Sequence, residues 1–510
     1  MLGNLYKVFY FCKPEQNRLF MFTLGIDVGS SSVKVSLLNV TDGSCVASSF
    51  FPPEEMTIVA KKAGWAEQDP SLWWENMKRA LSAVLATARV DKKDIKAVGI
   101  SYQMHGLVAL DEKGAVLRPS IIWCDSRAVT YGDKAFTDLG LDYCLGSCLN
   151  SPGNFTASKL KWVKENEPEL FARIHKIMLP GDYIAYRLTG QMQTTVSGLT
   201  EGIMWDFKKE AVAGELFEYY GFSSSLIPDI VPTFSKQAEI SQEVAAELGL
   251  PAGIPVSYRA GDQPNNAFSL NVLEPGEVAA TAGTSGVVYG VNDTLACDLQ
   301  SRVNNFAHVN HEAAKKRLGV LLCINGTGIL NSWLRRNIAS NMDYVAMNDI
   351  AMKAPVGAGG LLVYPFGNGA ERVLGNATPG AAIKGLSFNT HNQSHVLRAA
   401  QEGIAYSFRY GVDIMAEMGI KADVVRAGKA NMFLSPLFRQ TMANVLDARI
   451  ELYDTDGALG AARGAALGAG IYKNAAETFS SLKCLETITP DKDKVAVNET
   501  YNQWKNQLSF

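Results

Sequence analysis

The segment Phe22-Thr23-Leu24-Gly25-Ile26-Asp27-Val28-Gly29-Ser30-Ser31-Ser32-Val33-Lys34-Val35-Ser36-Leu37-Leu38 opens the part of the chain that we expect to fold. Both of its ends are mostly apolar, and its middle is rich in glycine and serine. This pattern predicts a strand from Phe22 to Ile26, a tight turn, and a second strand from Val33 to Leu38. A third strand, Cys45 to Phe50, follows the turn signal Asp42-Gly43. The chain is therefore expected to begin with a small antiparallel sheet.

The turn between the first two strands has the composition of a phosphate-binding loop. The main-chain N–H of Gly29 and the hydroxyls of Ser30 and Ser31 can donate hydrogen bonds to phosphate oxygens. Asp27, at the start of the turn, cannot bind phosphate directly but can hold Mg²⁺ or its waters. Taken alone, these residues fit an ordinary hairpin turn slightly better.

The same order of elements recurs from Val278 to Tyr289, where two apolar runs flank Gly283-Thr284-Ser285. Two such turns suggest a duplicated unit that holds a nucleoside triphosphate between its halves. Glu274-Pro275-Gly276 marks the boundary between them. The alternative is that glycine and serine are simply common in turns.

Near the middle of the chain stands Arg259-Ala260-Gly261-Asp262-Gln263-Pro264-Asn265-Asn266-Ala267. A strand from Ile254 to Tyr258 is predicted to run into this segment and to break at Gly261, which presents Asp262 at the strand's end. A carboxylate within hydrogen-bond reach of a hydroxyl can act as its general base. By itself, Gly-Asp is more often a turn whose Asp side chain bonds the local main chain.

Two other strand ends carry candidate ligand groups. The buried strand Ile95 to Ile100 leads to Gln103-Met104-His105-Gly106, and ligand groups often collect at strand ends in open sheets. A lone histidine, however, is more often structural. The strand Asp423 to Arg426 leads to Gly428 and Asn431, and a glycine there lets a flat ligand or a phosphate approach the main chain closely.

Three further segments are interpreted as structural. Asp69 and Pro70 are expected to cap and begin an amphipathic helix. Asp125 and Arg127 are expected to form an internal ion pair. The small residues from Leu459 to Ala466 predict a helix that packs tightly against its neighbour.

Composition limits the class of protein. A chain of 510 residues exceeds what one hydrophobic core usually supports, so two or three domains are expected. With 47% hydrophobic and 19% charged residues and a net charge of −3, neither nucleic acid nor an anionic membrane is an expected partner. The eight scattered cysteines show no zinc spacing and suggest mostly buried, reduced thiols in a cytoplasmic protein. Residues 1–20 are expected to lie outside the fold, and no segment predicts a membrane span.

In this order, the motifs resemble those of the FGGY carbohydrate kinases from about Thr23 to about Tyr472. The resemblance rests on Gly25-Ile26-Asp27-Val28-Gly29-Ser30-Ser31, Gln103-Met104-His105-Gly106, Gly261-Asp262, Ala282-Gly283-Thr284-Ser285-Gly286 and Leu459-Gly460-Ala461-Ala462. Each motif is weak alone, but five in order are specific. The resemblance implies an α/β fold of two actin-like (ribonuclease H-type) domains, with an active-site cleft between them.

The resemblance also implies roles for individual residues. Asp262 matches the family's catalytic base, and Asp27 matches the acid associated with Mg-ATP, with the metal held through water. Gln103, Met104 and His105 match the sugar-contacting residues of members that phosphorylate D-xylulose to D-xylulose 5-phosphate. The ATP contacts implied are Gly29, Ser30, Ser31, Lys34, Gly283, Thr284, Ser285, Gly326, Gly428 and Asn431.

The expected organisation has four parts. Residues 1–20 form an extension, residues 21–273 a sugar-binding domain with the first phosphate loop, residues 274–475 an ATP-binding domain, and residues 476–510 a C-terminal tail. A homodimer is expected because dimers are common among similar proteins.

Some motifs depart from the family pattern. The adenosine loop reads Ala427-Gly428-Lys429-Ala430-Asn431, which is bulkier than the usual run of glycines, and Gln263-Pro264 follows the catalytic acid. A kinase for ribulose, gluconate or another polyol, and a sugar sensor that has lost catalysis, are the alternatives.

Overall fold

The computed structural model describes residues 21–508, so the extension expected over residues 1–20 lies outside the described residues. The strands are β1 (Phe22–Val28), β2 (Val33–Asn39), β3 (Cys45–Phe51), β4 (Glu67–Gln68), β5 (Ile95–Tyr102), β6 (Val108–Leu110), β7 (Ser120–Ile121), β8 (Lys176–Met178), β9 (Gln193–Thr194), β10 (Trp205–Asp206), β11 (Ala211–Val212), β12 (Asp229–Ile230), β13 (Phe234–Glu239), β14 (Pro255–Gly261), β15 (Val278–Ala282), β16 (Gly286–Asn292), β17 (Asn304–Ala307), β18 (Leu318–Ile324), β19 (Leu362–Phe366), β20 (Gly380–Lys384), β21 (Val424–Gly428), β22 (Arg449–Tyr453) and β23 (Cys484–Ile488).

The helices are α1 (Pro70–Ala88), α2 (Val129–Leu139), α3 (Leu141–Cys144), α4 (Thr156–Asn166), α5 (Pro168–Phe171), α6 (Pro180–Thr189), α7 (Val196–Glu201), α8 (Gly214–Tyr220), α9 (Gln242–Leu248), α10 (Asp262–Ser269), α11 (Gly328–Asn337), α12 (Tyr344–Ala351), α13 (Gln393–Glu417), α14 (Pro436–Leu446), α15 (Gly457–Gly468), α16 (Ala475–Phe479) and α17 (Lys494–Asn506).

Two sheets with the same topology confirm the predicted duplication. The first has six strands in the order β13-β14-β5-β1-β2-β3, and the second has seven in the order β17-β18-β16-β15-β21-β22-β23. In the first sheet β1 pairs antiparallel with β2 and parallel with β5, and β14 pairs parallel with β5. In the second sheet β15 pairs antiparallel with β16 and parallel with β21, and β22 pairs parallel with β21. The second sheet has the additional strand β17 at its edge.

The first sheet has a core on each face. On one face, α1 buries Trp73, Met77 and Leu81, as the periodicity of its apolar residues predicts. Asp69 accepts a hydrogen bond from Ser71 N and caps this helix, as expected. On the other face lies α15, a helix from the C-terminal half of the chain.

Helix α15 packs on the first sheet at main-chain distance, which confirms the tight packing predicted for its small residues. A Cβ added at Gly25 would lie 1.8 Å from the Ala458 carbonyl oxygen, and one at Gly99 would lie 2.0 Å from that of Ala461. Thr23 donates a hydrogen bond of 2.8 Å from its hydroxyl to the Ala462 carbonyl. The C-terminal half is therefore anchored on the first sheet.

The second sheet is covered by α13, α14 and α17. The segment 476–510, which the sequence analysis set apart as a tail, supplies strand β23 and helix α17 to this half. β23 pairs antiparallel with β22. The fully buried Trp504 of α17 stacks on Tyr364 at 5.1 Å between ring centroids and donates from Nε1 to the Val363 carbonyl.

A short edge strand links the two halves near one end of the sheets. Asn305 of β17 donates its main-chain N–H to Asn150 Oδ1 at 2.9 Å. Ser197 and Thr200 of α7 contact the main chain of Ala307 with hydrogen bonds of 2.9 and 3.0 Å. The first half therefore contacts the second through both α15 and β17.

The cysteines correct one expectation. All seven within residues 21–508 are free thiols, but only Cys144 and Cys148 are buried. Cys45 and Cys484 are exposed because they lie on the edge strands β3 and β23. The prediction of mostly buried thiols was wrong.

No helix within residues 21–508 combines the length and the apolar composition that a membrane span requires.

Replacing Gly25 by Ala tests the contact between α15 and the first sheet. The added Cβ meets a carbonyl oxygen that belongs to helix main chain and cannot rotate away. Overpacking of this kind costs roughly 1–3 kcal/mol or more, so we expect a lower Tm in thermal unfolding. Gly214→Ala is the matched control, because a Cβ there meets nothing within 4 Å. Equal Tm values for the two variants would contradict the described contact.

Candidate active site

Asp262 lies where strand β14 becomes helix α10. The strand ends at Gly261 and the helix begins at Asp262, so the predicted strand end is followed by a helix rather than a simple turn. Its side chain is partly exposed. A carboxylate in the first turn of a helix is favoured by the helix dipole. Asp262 is thus held by two regular elements, which fixes its direction.

The carboxyl of Asp262 titrates near neutrality. Although the side chain is partly exposed, the surrounding protein removes much of the hydration of the carboxylate and raises its pKa to about 7. The negative charge of Asp27 adds to this shift, whereas hydrogen bonds from Gln263 oppose it. A base is most effective when its pKa lies near the working pH. The residue after the acid, noted above as a departure, therefore supports the carboxylate.

Strand β1 ends at Val28, two residues later than predicted, so Asp27 lies on the strand and not in the turn. It pairs with Lys34 across the hairpin. Burial raises the pKa of Asp27 to about 6, against a hydrogen bond with Ser101 and with a further contribution from Asp456. A Cβ added at Gly457 would lie 2.3 Å from Asp27 Oδ2, so this carboxylate abuts the N-terminus of α15.

Lys34 and Asp456 join the two halves at the same place. Lys34 Nζ donates to Asp456 Oδ2 at 2.5 Å, and Asp456 also caps α15 by accepting from Leu459 N at 2.9 Å. Asn265 of α10 donates to the Gly457 carbonyl at 2.9 Å. The elements that carry Asp262 and Asp27 are therefore bonded to one helix end.

Gln103 lies beneath the first loop. Its Nε2 donates to Gln68 Oε1 at 3.2 Å, and Gln68 in turn donates to the Ser30 carbonyl at 2.7 Å. Gly29 N donates to the Ser32 carbonyl at 3.0 Å, which closes the turn. Gln103 Oε1 is buried without a partner. The structure thus gives Gln103 a role in supporting the loop that sequence reasoning did not foresee.

His105 is fixed by its neighbours on every side. Its main chain adopts the left-handed conformation with φ 61°, which is unusual for a residue other than glycine. Lys159 Nζ donates to its carbonyl at 2.8 Å. Its Nδ1 lies 2.8 Å from the Glu201 carbonyl, which can only accept, so Nδ1 carries the proton.

The imidazole of His105 is neutral at physiological pH. Burial lowers its pKa to about 3, and the positive charge of Lys159 lowers it further. With Nδ1 protonated and the ring neutral, Nε2 keeps a lone pair. His105 therefore offers a hydrogen-bond acceptor at Nε2.

Aromatic rings from both halves surround His105. Phe155, next to α4, lies 4.7 Å from its ring centroid, and Phe306 of β17 lies 5.5 Å from it. The guanidinium of Arg372, from the C-terminal half, lies 5.1 Å from the Phe155 ring. This side of the site is therefore lined by residues of both halves.

Several acceptor atoms in this region are buried without a hydrogen-bond partner. They include Asn154 Oδ1, Gln103 Oε1, Gln263 Oε1 and both carboxyl oxygens of Glu201. Buried acceptors without partners are rare in folded proteins. They match the hydroxyl donors of a polyol better than an anionic ligand.

The second predicted loop lies against the N-terminus of α11. Gly328 N donates to the Gly283 carbonyl at 2.8 Å, and Ile329 N donates to that of Thr284 at 3.2 Å. Asn431 Nδ2 lies 3.7 Å from the position of a Cβ on Gly283, so the segment from Gly428 to Asn431 meets this loop. Thr284 is exposed.

Gly326 and Gly428, two of the glycines predicted to contact ATP, differ in whether packing requires a glycine at that position. A Cβ on Gly326 would lie 1.5 Å from the Pro365 carbonyl oxygen, so packing alone demands glycine there. The corresponding Cβ on Gly428 would lie 3.5 Å from the Thr455 carbonyl oxygen, which is ordinary contact.

An apolar cavity of about 490 Å³ begins at Gly326, and sequence reasoning missed it. It lies between α11 and the hairpin β19–β20. Ile329, Leu330 and Trp333 line one side, and Val363 and Pro365 line the other. Its residues are spread over 75 positions of sequence, so no local motif indicates it.

The two matching sheets, the helix α15 that packs on the first of them and the pair of carboxylates near its N-terminus are those of a two-domain α/β kinase fold of the actin-like sugar kinase type. The family model of the FGGY carbohydrate kinases, N-terminal domain, matches residues 22–269. The C-terminal domain model matches residues 278–471. The chain belongs to the FGGY family of carbohydrate kinases, as its motifs suggested.

Individual relatives cover nearly the whole chain. The protein named xylulose kinase from Bacillus subtilis (strain 168) is 30% identical over 468 residues, which are 89% of this chain and 90% of that protein. The xylulose kinase of Escherichia coli (strain K12) is 30% identical over 496 residues, or 95% and 99% of the two chains. The crystal structure of xylulose kinase from Rhodospirillum rubrum is 26% identical, covers 95% of this chain and 98% of that one, and has a TM-score of 0.84.

The raised pKa of Asp262 predicts a pH-dependent cost in stability. Folding raises the pKa from 3.8 to about 7, so the native state holds the proton more tightly than the unfolded state. The stability that this provides is present at low pH and is lost as the pH rises from about 4 through 7. At pH 8, Asp262→Asn should therefore raise the Tm relative to the unsubstituted protein, and it should increase the free energy of unfolding by no more than roughly 4 kcal/mol. At pH 4.5 both increases should be much smaller.

The exposed Asp133 on α2 supplies the control variant Asp133→Asn. A Tm difference for Asp262→Asn that does not grow between pH 4.5 and pH 8 would contradict the assigned environment.

Proposed function

We propose that this chain is an ATP-dependent kinase that phosphorylates the terminal hydroxyl of D-xylulose and yields D-xylulose 5-phosphate and ADP. Membership of the FGGY family of carbohydrate kinases supports the reaction class. Relatives named xylulose kinase, about 30% identical over almost the full length, support the choice of sugar. The observation that carries the proposal is Asp262, a carboxyl with a pKa of about 7 at the junction of the two halves.

Asp262 acts as the general base in this proposal. It takes the proton of the sugar's terminal hydroxyl while that oxygen forms a bond to the γ-phosphorus of ATP. The bond from this phosphorus to the bridging oxygen breaks, and ADP carries away the electron pair. Phosphoryl transfer depends mainly on positioning and on neutralising charge, so a base fixed by β14 and α10 suits it.

Asp27 is the residue we assign to Mg²⁺, with the metal held through water. Within residues 21–508 no group of three or more His, Cys, Asp or Glu side chains could hold a metal ion unaided. A magnesium ion there needs the oxygens of ATP as further ligands, as is usual for Mg²⁺ in kinases. The raised pKa of Asp27 fits, because a partly desolvated carboxylate beside another acid gains from a nearby cation. Bound Mg²⁺ supplies charge neutralisation at the phosphates.

The sugar site, as we propose it, uses Gln103, Met104 and His105 along with Asp262. A sugar hydroxyl can donate to His105 Nε2, which keeps a lone pair. The unpartnered oxygens of Asn154 and Gln263 offer further acceptors for hydroxyl groups. This pattern supports a polyhydroxylated, uncharged substrate.

The nucleotide site, as we propose it, uses both Gly/Ser loops. Gly29, Ser30 and Ser31 with Lys34 face the phosphates from the first half. Gly283, Thr284 and Ser285 face them from the second half, where α11 begins. The apolar cavity at Gly326, together with Gly428 and Asn431, offers room for the nucleobase. In this assignment residues 21–273 bind the sugar and residues 274–475 bind ATP.

A coupled assay of ADP release across a sugar panel tests the proposal. We expect D-xylulose to give the highest kcat/KM, with ribulose, gluconate and glycerol far behind. Asp262→Asn should lower kcat by roughly 10²–10⁴-fold, the usual contribution of a general base, while sugar binding persists. Asp133→Asn serves as the control and should leave kcat unchanged.

Each other outcome identifies a different protein. Turnover of another sugar in preference to D-xylulose would make the chain a sibling kinase of the same family. Sugar binding without ADP release would make it a sensor. Near-normal turnover by Asp262→Asn would remove Asp262 from the role of base.

A further inference from the structure

Glu201 is a buried acid that the proposed reaction does not use. It is the last residue of α7, and only 1% of its surface is exposed. Neither of its carboxyl oxygens has a hydrogen-bond partner, and no other carboxylate within residues 21–508 is buried with both oxygens unpartnered. Burying an unpaired polar group costs on the order of 1–3 kcal/mol, and more if it is charged. Such a cost is usually retained for a function.

The carboxyl of Glu201 lies against the main chain that leads to Asp262. A Cβ added at Gly261 would come within 2.5 Å of Glu201 Oε2 and within 2.6 Å of Met104 Cγ. Glycine at 261 is therefore what allows the Glu201 carboxyl and the Met104 side chain to reach this strand end. Any movement of Glu201 would change the space in which the residue before Asp262 sits.

The main-chain carbonyl of Glu201 determines how His105 presents its ring. It accepts from Nδ1 at 2.8 Å and so leaves Nε2 unprotonated. Thr200, the preceding residue, accepts from Ala307 N of β17 at 3.0 Å. The end of α7 is therefore fixed between the second half of the chain and two residues of the proposed sugar site.

The surroundings of Glu201 disfavour a negative charge on its side chain. Burial raises its pKa well above the usual range, and the negative charges of Asp262 and Asp182 raise it further. Nearby positive groups are occupied elsewhere, since Arg259 pairs with Asp182 at 3.2 Å.

We propose that Glu201 is a positioning residue: its buried side chain supports the main chain at Gly261 and so aims Asp262, while its main-chain carbonyl holds His105 in the tautomer that accepts from the sugar. This inference rests on the proposed function for its kinetic consequences. Glu201 does not contact the reacting atoms in this account. Substitutions of Glu201 should therefore change kcat and the KM for the sugar, and not the KM for ATP.

The test compares Glu201→Gln, Glu201→Asp and Glu201→Ala in the full chain. Gln keeps the size and the absence of charge, so its kcat and its KM for D-xylulose should stay within about threefold of the unsubstituted values. Ala removes the support, and a misplacement of about 1 Å can cost 10²-fold, so its kcat/KM for the sugar should fall at least tenfold. The KM for ATP should change less than twofold in all three variants. In Glu201→Asp the carboxyl is one carbon shorter, so its kcat/KM for the sugar should lie between those of the Gln and Ala variants. This variant keeps the test decisive if the Ala variant does not fold.

Glu402→Gln is the matched control. Glu402 is equally buried, at 1% exposed, but it pairs with Arg398 at 2.7 Å in α13. We expect this variant to lower Tm without changing the KM for the sugar. A loss in Glu201→Gln as large as in Glu201→Ala would overturn the inference, because it would show that the ionised carboxylate is needed. Unchanged kinetics in both Glu201→Ala and Glu201→Asp, or an equal rise in the KM for ATP, would also overturn it.

A second measurement does not depend on turnover. The ¹⁵N shifts of the imidazole of His105, one of six histidines, report its tautomer. They should show Nδ1–H in the unsubstituted protein and in all three variants, because each variant keeps the main-chain carbonyl of residue 201. Shifts typical of Nε2–H in the unsubstituted protein would overturn the part of the inference that concerns His105. If the unsubstituted protein phosphorylates no sugar, the proposed function fails, and these shifts still test the hydrogen bond from His105 to Glu201.

Discussion

Helix α15 lies so close to the first sheet that neither Gly25 nor Gly99 can carry a Cβ. The rest of the site depends on this contact, because α15 belongs to the C-terminal half of the chain and packs on the sheet of the N-terminal half. Its first residue, Gly457, abuts Asp27 and accepts from Asn265 of the helix that begins with Asp262. The salt bridge between Lys34 and Asp456 closes the same junction. A shift of α15 would move Gly457 away from Asp27 and break the hydrogen bond from Asn265, three residues after Asp262.

The site accumulates acids that a purely structural core would avoid. Asp262 and Asp27 have pKa values raised to about 7 and about 6. Glu201 is buried against Gly261, and its carbonyl accepts a hydrogen bond from His105. Each raised pKa means that the folded state disfavours the charge there. Raised pKa values suit the proposed reaction, in which one carboxylate accepts a proton from a hydroxyl and another helps to bind a cation with a triphosphate. They also lower the free energy of unfolding near neutral pH, which is a common cost at functional sites.

The sequence predicted the repeated elements well because each unit follows local rules. Alternating apolar residues, the Asp42-Gly43 turn and the glycine breaks at Gly261 and Gly283 all have short-range causes. The small residues of α15 predicted tight packing, but not that the partner would be the first sheet. The residues that reasoning missed, Glu201 and Asp456, act through contacts that span 60 and 422 positions of sequence. No local pattern encodes such contacts. For the same reason, residues after 475 were expected to be a tail, although Trp504 is buried by contacts with distant residues.

A crystal structure of the protein with D-xylulose and a non-hydrolysable ATP analogue decides whether Asp262 is the base. In our account the terminal hydroxyl oxygen of the sugar lies within about 3.2 Å of the Asp262 carboxylate, with the γ-phosphate on the far side of that oxygen. The sugar would also place a hydroxyl against His105 Nε2. A sugar whose terminal hydroxyl faces another side chain, with Asp262 out of hydrogen-bond reach, would contradict the account.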